Sequence, residues 1–258
     1  MSELRLTFGI IVTGVGEAKF LPKMFQSLRN VGPFTFFVLG RIGQLSPRKS
    51  QKGAGKLTLP NRPSAIPGRD EELGLKVRGF LQESENHFVL VVDDLEYDRL
   101  DTATDCFRRY REAIDTIVTD SKMKRRASVH FLVMMLESYF FADAQAVNKA
   151  LCAEVLASDY PGDVETIRHP KNDLKALFVG FDEVRHGDEI IGRLDVVHVL
   201  SDPNTCASLR TLFAWCVESI LEYLPDFQGV FPEYHLDGGK QSSVTNGQLS
   251  VLKCDALY

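Results

Sequence analysis

Long apolar runs are missing from this chain: no stretch of its 258 residues approaches the roughly 18 needed to span a bilayer. Cysteine is scarce and poorly spaced for chemistry. Cys106, Cys152, Cys206, Cys216 and Cys254 are five in number, widely separated and never arranged as C-x-x-C, which argues against a zinc knuckle or a disulfide framework and leaves reduced core thiols. Two phosphate-binding signatures fail as well. Gly14-Val15-Gly16 is not the start of G-x-G-x-x-G, because Lys19 stands where the third glycine belongs. Gly53-Ala54-Gly55-Lys56 is not a Walker A loop, because Ser50 takes the first glycine position and Leu57 follows the lysine. Neither sign of charge dominates, since the net charge is −5 with 25% charged residues, so global electrostatics announce no polyanionic partner. No signal-peptide cleavage pattern follows Met1-Ser2-Glu3-Leu4-Arg5. The expectation is a cytoplasmic protein with no membrane association.

What is present is organised around His87-Phe88-Val89-Leu90-Val91-Val92-Asp93-Asp94-Leu95-Glu96-Tyr97-Asp98. Five apolar residues, Phe88 to Val92, read as a strand buried on both faces, the pattern of a parallel sheet, that ends near Val92. Four carboxylates then crowd its carboxyl end, the edge at which open α/β sheets bind ligands. Two carboxylates 4 Å apart repel by roughly 4 kcal/mol at an effective dielectric of 20. A divalent cation relieves such repulsion, and an all-oxygen donor set suits Mg²⁺ or Mn²⁺ and metal-assisted phosphoryl chemistry. A solvated acidic loop is the plainer alternative.

Other apolar runs repeat the arrangement. Phe8 to Val12 leads through Thr13-Gly14-Val15-Gly16 to Glu17 and a helix with Phe20, Leu21, Met24, Phe25 and Leu28 on one face. Val129 to Leu136 reads as a strand followed at once by Glu137, with His130 a core histidine. Phe34 to Leu39 is a further strand, and 71–83, 101–120, 145–157 and 172–179 read as helices. Asp202-Pro203 gives the capping signal for one more, with Trp215 in its core face. Between Arg41 and Arg69 there are seven basic residues and no acid, scattered among Gly, Pro and Ser. Arg48, Lys49, Lys52 and Lys56 there are candidates for contact with nucleic-acid phosphates, if the loop is not simply solvated. The basic cluster Lys122, Lys124, Arg125 and Arg126 is explained equally well by a helix C-terminus. The pattern gives an α/β fold with a mostly parallel sheet flanked by helices. Residues 1–145 form its core, 146–225 a helical C-terminal part, and 226–258 a loosely ordered tail.

Gly16-Glu17 before a helix, Asp93-Asp94-Leu95-Glu96-Tyr97-Asp98-Arg99, Met135-Leu136-Glu137-Ser138-Tyr139-Phe140-Phe141-Ala142-Asp143 and His169-Pro170-Lys171 together resemble the Toprim fold. More narrowly, they look like a Toprim-like family encoded beside ABC-type ATPases in bacterial anti-phage loci. The resemblance implies a Mg²⁺-dependent nuclease on DNA or RNA with an ATPase partner. It makes Glu17, Asp93, Asp94 and Glu137 catalytic candidates, and Glu17, Asp93, Asp94 and Glu96 metal ligands. The motif departs from Asp-x-Asp, because Asp94-Leu95-Glu96 ends in Glu and Asp93 leaves the register open. A binding or regulatory subunit of an ATPase complex and a small-molecule phosphohydrolase are the alternative functions.

Overall fold

The computed structural model describes residues 5–47, 68–245 and Gln248. Arg48, Lys49, Lys52 and Lys56 lie outside the described residues. Four strands, β1 (Leu6–Val12), β2 (Phe34–Arg41), β3 (His87–Leu95) and β4 (Ala127–Val133), form one sheet in the order β2-β1-β3-β4, and all three pairings are parallel. The fold is α/β, of the Rossmann/Toprim-like kind expected. The central strands β1 and β3 are apolar on both sides because helices cover both faces.

In chain order the helices are α1 (Val15–Met24), α2 (Gln26–Arg29), α3 (Gly68–Glu83), α4 (Ala103–Ile117), α5 (Ser121–Arg125), α6 (Ala144–Leu151), α7 (Pro170–Leu177), α8 (Arg185–Ile191), α9 (Val196–Val199) and α10 (Ala207–Tyr223). On one face, α3 and α4 pack Leu73, Val77, Tyr110 and Ile114 against Val89, Val91 and Phe131. Gly74 lets the two helices approach closely, since a Cβ there would stand 2.6 Å from the Ala113 carbonyl. The opposite face carries Phe8, Phe36, Phe88 and Leu90 under α1 and α10. Aromatic rings fill it: Phe8 stacks on Phe36 at 4.5 Å, Phe25 on Phe36 at 4.4 Å and on Phe213 at 5.4 Å, and Trp215 meets Phe8 edge-on at 6.4 Å. Each such pair is worth about 0.5–1.5 kcal/mol beyond its buried area.

This core crosses the boundary drawn at residue 145, which falls inside α6. Nor is the segment after residue 226 loose, as far as residue 245. Arg210 is fully buried and its five N–H groups donate to five carbonyls, those of Leu200, Asp202, Thr205, Tyr234 and Lys240. One side chain thereby fastens α10, the turn before it and the C-terminal segment together. Gln248 then accepts from the Val129 amide at 2.8 Å and donates to the Val129 carbonyl at 2.7 Å, closing the outer edge of β4.

Helix boundaries differ from those read in the sequence, and two of the differences have a clear cause. Asp202 caps a turn by accepting from the Asn204 amide, and α10 begins only at Ala207, because Arg210 takes the turn's carbonyls. Helix α6 stops at Leu151 because Cys152 adopts the left-handed conformation, and Asn148 ties down the chain beyond it. His130 and Trp215 are buried in the core as expected, and burial lowers the imidazole to about 3.

Candidate active site

A cavity of about 730 Å³ opens at the carboxyl edge of the sheet, walled by the segments that follow β1, β3 and β4. Glu17 reaches it from the first turn of α1. Asp94 reaches it from the last turn of pleat in β3, Glu96 from the residue after that strand, and Glu137 from the start of a 3₁₀ segment, Leu136–Ala142. Four of the five acidic candidates therefore share one cavity. Thr13, Lys19, Gln44, Ser46, Arg69, Lys171 and Glu183 complete the polar wall.

Asp93 is the exception, and the reason is the length of β3. The strand runs on to Leu95 instead of stopping near Val92, so Asp93 and Asp94 point to opposite faces of the sheet. Asp94 follows Leu90 and Val92 onto the α1 face, whereas Asp93 follows Val89 and Val91 onto the α4 face. There Asp93 is fully buried and fully used. It accepts from Arg99 Nη2 at 2.7 Å, from Thr13 Oγ1 at 2.7 Å and from the Tyr110 hydroxyl at 3.0 Å. Burial disfavours the Arg99 charge, but the bond to Asp93 outweighs it and holds the guanidinium above its ordinary value. Burial first, then the Asp93 charge, pushes the Tyr110 hydroxyl up. Asp93 is accordingly an anchor of the β3 terminus and not a wall of the cavity. Arg99 also donates to the Asp94 carbonyl at 2.6 Å, which fixes the backbone that carries the Asp94 carboxyl.

Asp94 and Glu17 are both buried, and their carboxyls lie side by side in the cavity. Burial raises the Asp94 carboxyl well above the usual range, and the adjacent carboxyl of Glu17 and the charges of Glu137 and Asp93 raise it further. No donor of the protein satisfies Oε2 of Glu17 or Oδ1 of Asp94. Gly14 makes the room, because a Cβ at that position would fall on the Glu17 carboxyl, 2.7 Å from its Cδ.

Glu137 is handled differently. Burial raises it, and Lys171, 3.4 Å from Oε1, pulls it back. Lys171 is half-buried at the start of α7 and also faces Glu183 at 3.8 Å. The chain enters this wall through two consecutive left-handed residues, Met134 (φ 57°) and Met135 (φ 73°), a conformation that costs roughly 1–3 kcal/mol for each non-glycine residue. The chain turns there from the end of β4 into the 3₁₀ segment whose Glu137 lines the cavity.

The donor chemistry fits a hard divalent cation: oxygen only, two adjacent carboxyls with unsatisfied atoms, and Glu96 at the rim. Among the described residues, no three His, Cys, Asp or Glu side chains stand together as a ready cage. Mg²⁺ does not require one, since it commonly takes one or two carboxylates, several waters and substrate phosphates.

The sequence pattern assigns no role to Arg69, Thr13 or Gln44, and gives Lys171 only a place in a motif. Lys171 had a signal in His169-Pro170-Lys171, where a proline at the first helical position aims the next side chain along a defined direction. Arg69 was one of seven basic residues with nothing to distinguish it. No helix among the described residues is long and apolar enough to cross a membrane. In comparisons with known proteins, the chain matches no family model, no curated protein and no solved structure.

Proposed function

We propose that this chain is a divalent-metal-dependent phosphodiesterase acting on nucleic acid, of the Toprim-like kind that its motif order resembles. The reading is carried by the Glu17–Asp94 pair, two buried carboxyls at the ligand-binding edge of a parallel sheet with an unsatisfied oxygen each. Glu17 and Asp94, with Glu96 from the rim, would hold the cation. When bound, Mg²⁺ or Mn²⁺ supplies charge stabilisation at a phosphoryl oxygen and a water of lowered pKa.

The chain's own residues account for the rest. Lys171 and Arg69 line the same cavity and offset the charge of a phosphate diester held there. Arg69 makes no ion pair among the described residues, so its guanidinium is available to an incoming anion. Glu137, raised by burial and steadied by Lys171, is suited to keep a proton for the departing oxygen or to take one from the attacking water. Gly14 and Gly16 leave the backbone of the first turn open to close approach by substrate.

The test is cleavage of DNA and of tRNA by the purified protein with Mg²⁺ and with Mn²⁺, alongside Glu17→Gln and Asp94→Asn. Turnover is expected only with metal and is lost in both variants. Full activity in both would leave the reading without its chemistry.

A further inference from the structure

A second, smaller cavity of about 320 Å³ adjoins the carboxylate cavity, and Glu96, Met135 and Lys171 form walls of both. Its remaining walls include Tyr97, Asp98, Met134, Arg168 and His169. Tyr97 is 46% exposed, and the Arg168 guanidinium carbon stands 3.6 Å above the centre of its ring. Among the described residues, Arg168 has no carboxylate partner and the His169 imidazole makes no hydrogen bond. A half-exposed aromatic ring, one face covered by a guanidinium that makes no ion pair among the described residues, thus lines a cleft that runs directly into the cluster of acids.

Flat, π-faced groups with an adjoining negative charge are what such a platform takes. A nucleobase attached to a phosphate is that group. The two thioethers, Met134 and Met135, add a soft apolar wall, and Lys171 stands at the junction, where the backbone of a strand passing from one cavity to the other would run. A base inside a duplex has both faces covered by its neighbours and cannot present one to Tyr97. We propose that this cavity is a subsite for the unpaired base next to the phosphate held at Glu17 and Asp94, so that the substrate is single-stranded nucleic acid. The proposal rests on the phosphodiesterase reading for the identity of the neighbouring site.

Binding and cleavage are measured separately to test it. Fluorescence anisotropy of the full chain in EDTA, with labelled single-stranded DNA, single-stranded RNA and the matching duplexes, reads binding without turnover. Single strands are expected to bind more tightly than duplexes. Tyr97→Ala weakens single-strand binding roughly 5- to 150-fold, the equivalent of ~1–3 kcal/mol per stacked base. Tyr97→Phe keeps the ring and the affinity, and Arg168→Lys keeps the charge but loses part of the binding. A 2-aminopurine probe is quenched by the wild type and by Tyr97→Phe but not by Tyr97→Ala. The exposure of Tyr97 makes these substitutions compatible with folding, which circular dichroism checks. Unchanged affinity in Tyr97→Ala, or duplex binding with the same dependence on Tyr97, overturns the subsite. Metal-dependent cleavage with an unaltered KM in Tyr97→Ala overturns the subsite and leaves the phosphodiesterase reading standing. Tyr97-dependent single-strand binding with no cleavage in Mg²⁺ or Mn²⁺ does the reverse.

Discussion

Replacing Asp93 and Asp94 one at a time by Asn should give opposite results, although the two residues are neighbours of the same chemical type. Asp93→Asn keeps the shape but removes the charge that compensates Arg99, whose side chain is only 14% exposed. The new amide also brings N–H groups toward two donors, Arg99 and the Tyr110 hydroxyl. Breaking a buried pair in this way costs about 3–5 kcal/mol. The low end is expected, because Arg99 retains its bond to the Asp94 carbonyl. A loss of ~3 kcal/mol in a chain of this size lowers Tm by roughly 6–12 °C. Asp94→Asn gives up only the attraction to Lys171 while taking one acid out of a crowded pair, so metal-free stability holds or rises, by up to a few kcal/mol. Thermal and urea denaturation followed by circular dichroism, with and without Mg²⁺, measures all of this. The wild type should gain about 2.7 kcal/mol when Mg²⁺ is a hundredfold above its Kd, and Asp94→Asn should gain nothing. Equal stability of Asp93→Asn and wild type, or equal destabilisation by both substitutions, would refute the division of roles between the two faces of β3.

Gly14 has an extended φ of −113°, so Gly14→Ala carries no backbone strain and acts by pushing the Glu17 carboxyl aside; the fold should persist while turnover falls on the order of 10²-fold, and normal kinetics would show that Glu17 need not occupy its present position. Glu165, buried beside Tyr139 and Ser208, is pushed up to about 7 by burial, against an ordinary value of 4.5. The folded chain then holds a proton that the unfolded chain releases, so this group's contribution is complete below pH 4.5 and declines by roughly 3 kcal/mol as pH rises through about 7. Glu165→Gln should flatten that decline in urea titrations across pH 4–8, and an unchanged slope would place its origin elsewhere.

The sheet was legible in the sequence because both central strands carry unbroken apolar stretches, Ile10 to Val12 and Phe88 to Val92, and burial on two faces produces that pattern. The acids at the strand ends were legible because each follows such a run directly. Asp93 was misassigned for a reason of length: two polar residues after an apolar run look like a loop, whereas Arg99, Thr13 and Tyr110, distant in sequence or on another element, make one of them tolerable inside the sheet. The start of α10 was hidden in the same way, since nothing near Asp202 reveals that Arg210 will claim the carbonyls of the turn. Lys171 reaches the cavity from a segment 34 residues beyond Glu137, and no local pattern couples the two.

The aromatic face closed by α10 also bears on how the chain is made. Phe8 and Phe88 emerge early in synthesis, yet Phe213 and Trp215, which finish their enclosure, emerge more than a hundred residues later. Until then α1 alone covers that side of the nascent sheet, so a fragment ending at residue 145 should aggregate, and folding should wait for a contact that spans most of the chain. The chain's lone tryptophan sits at that last-formed junction, which makes its fluorescence a built-in clock for the moment the two ends of the polypeptide meet.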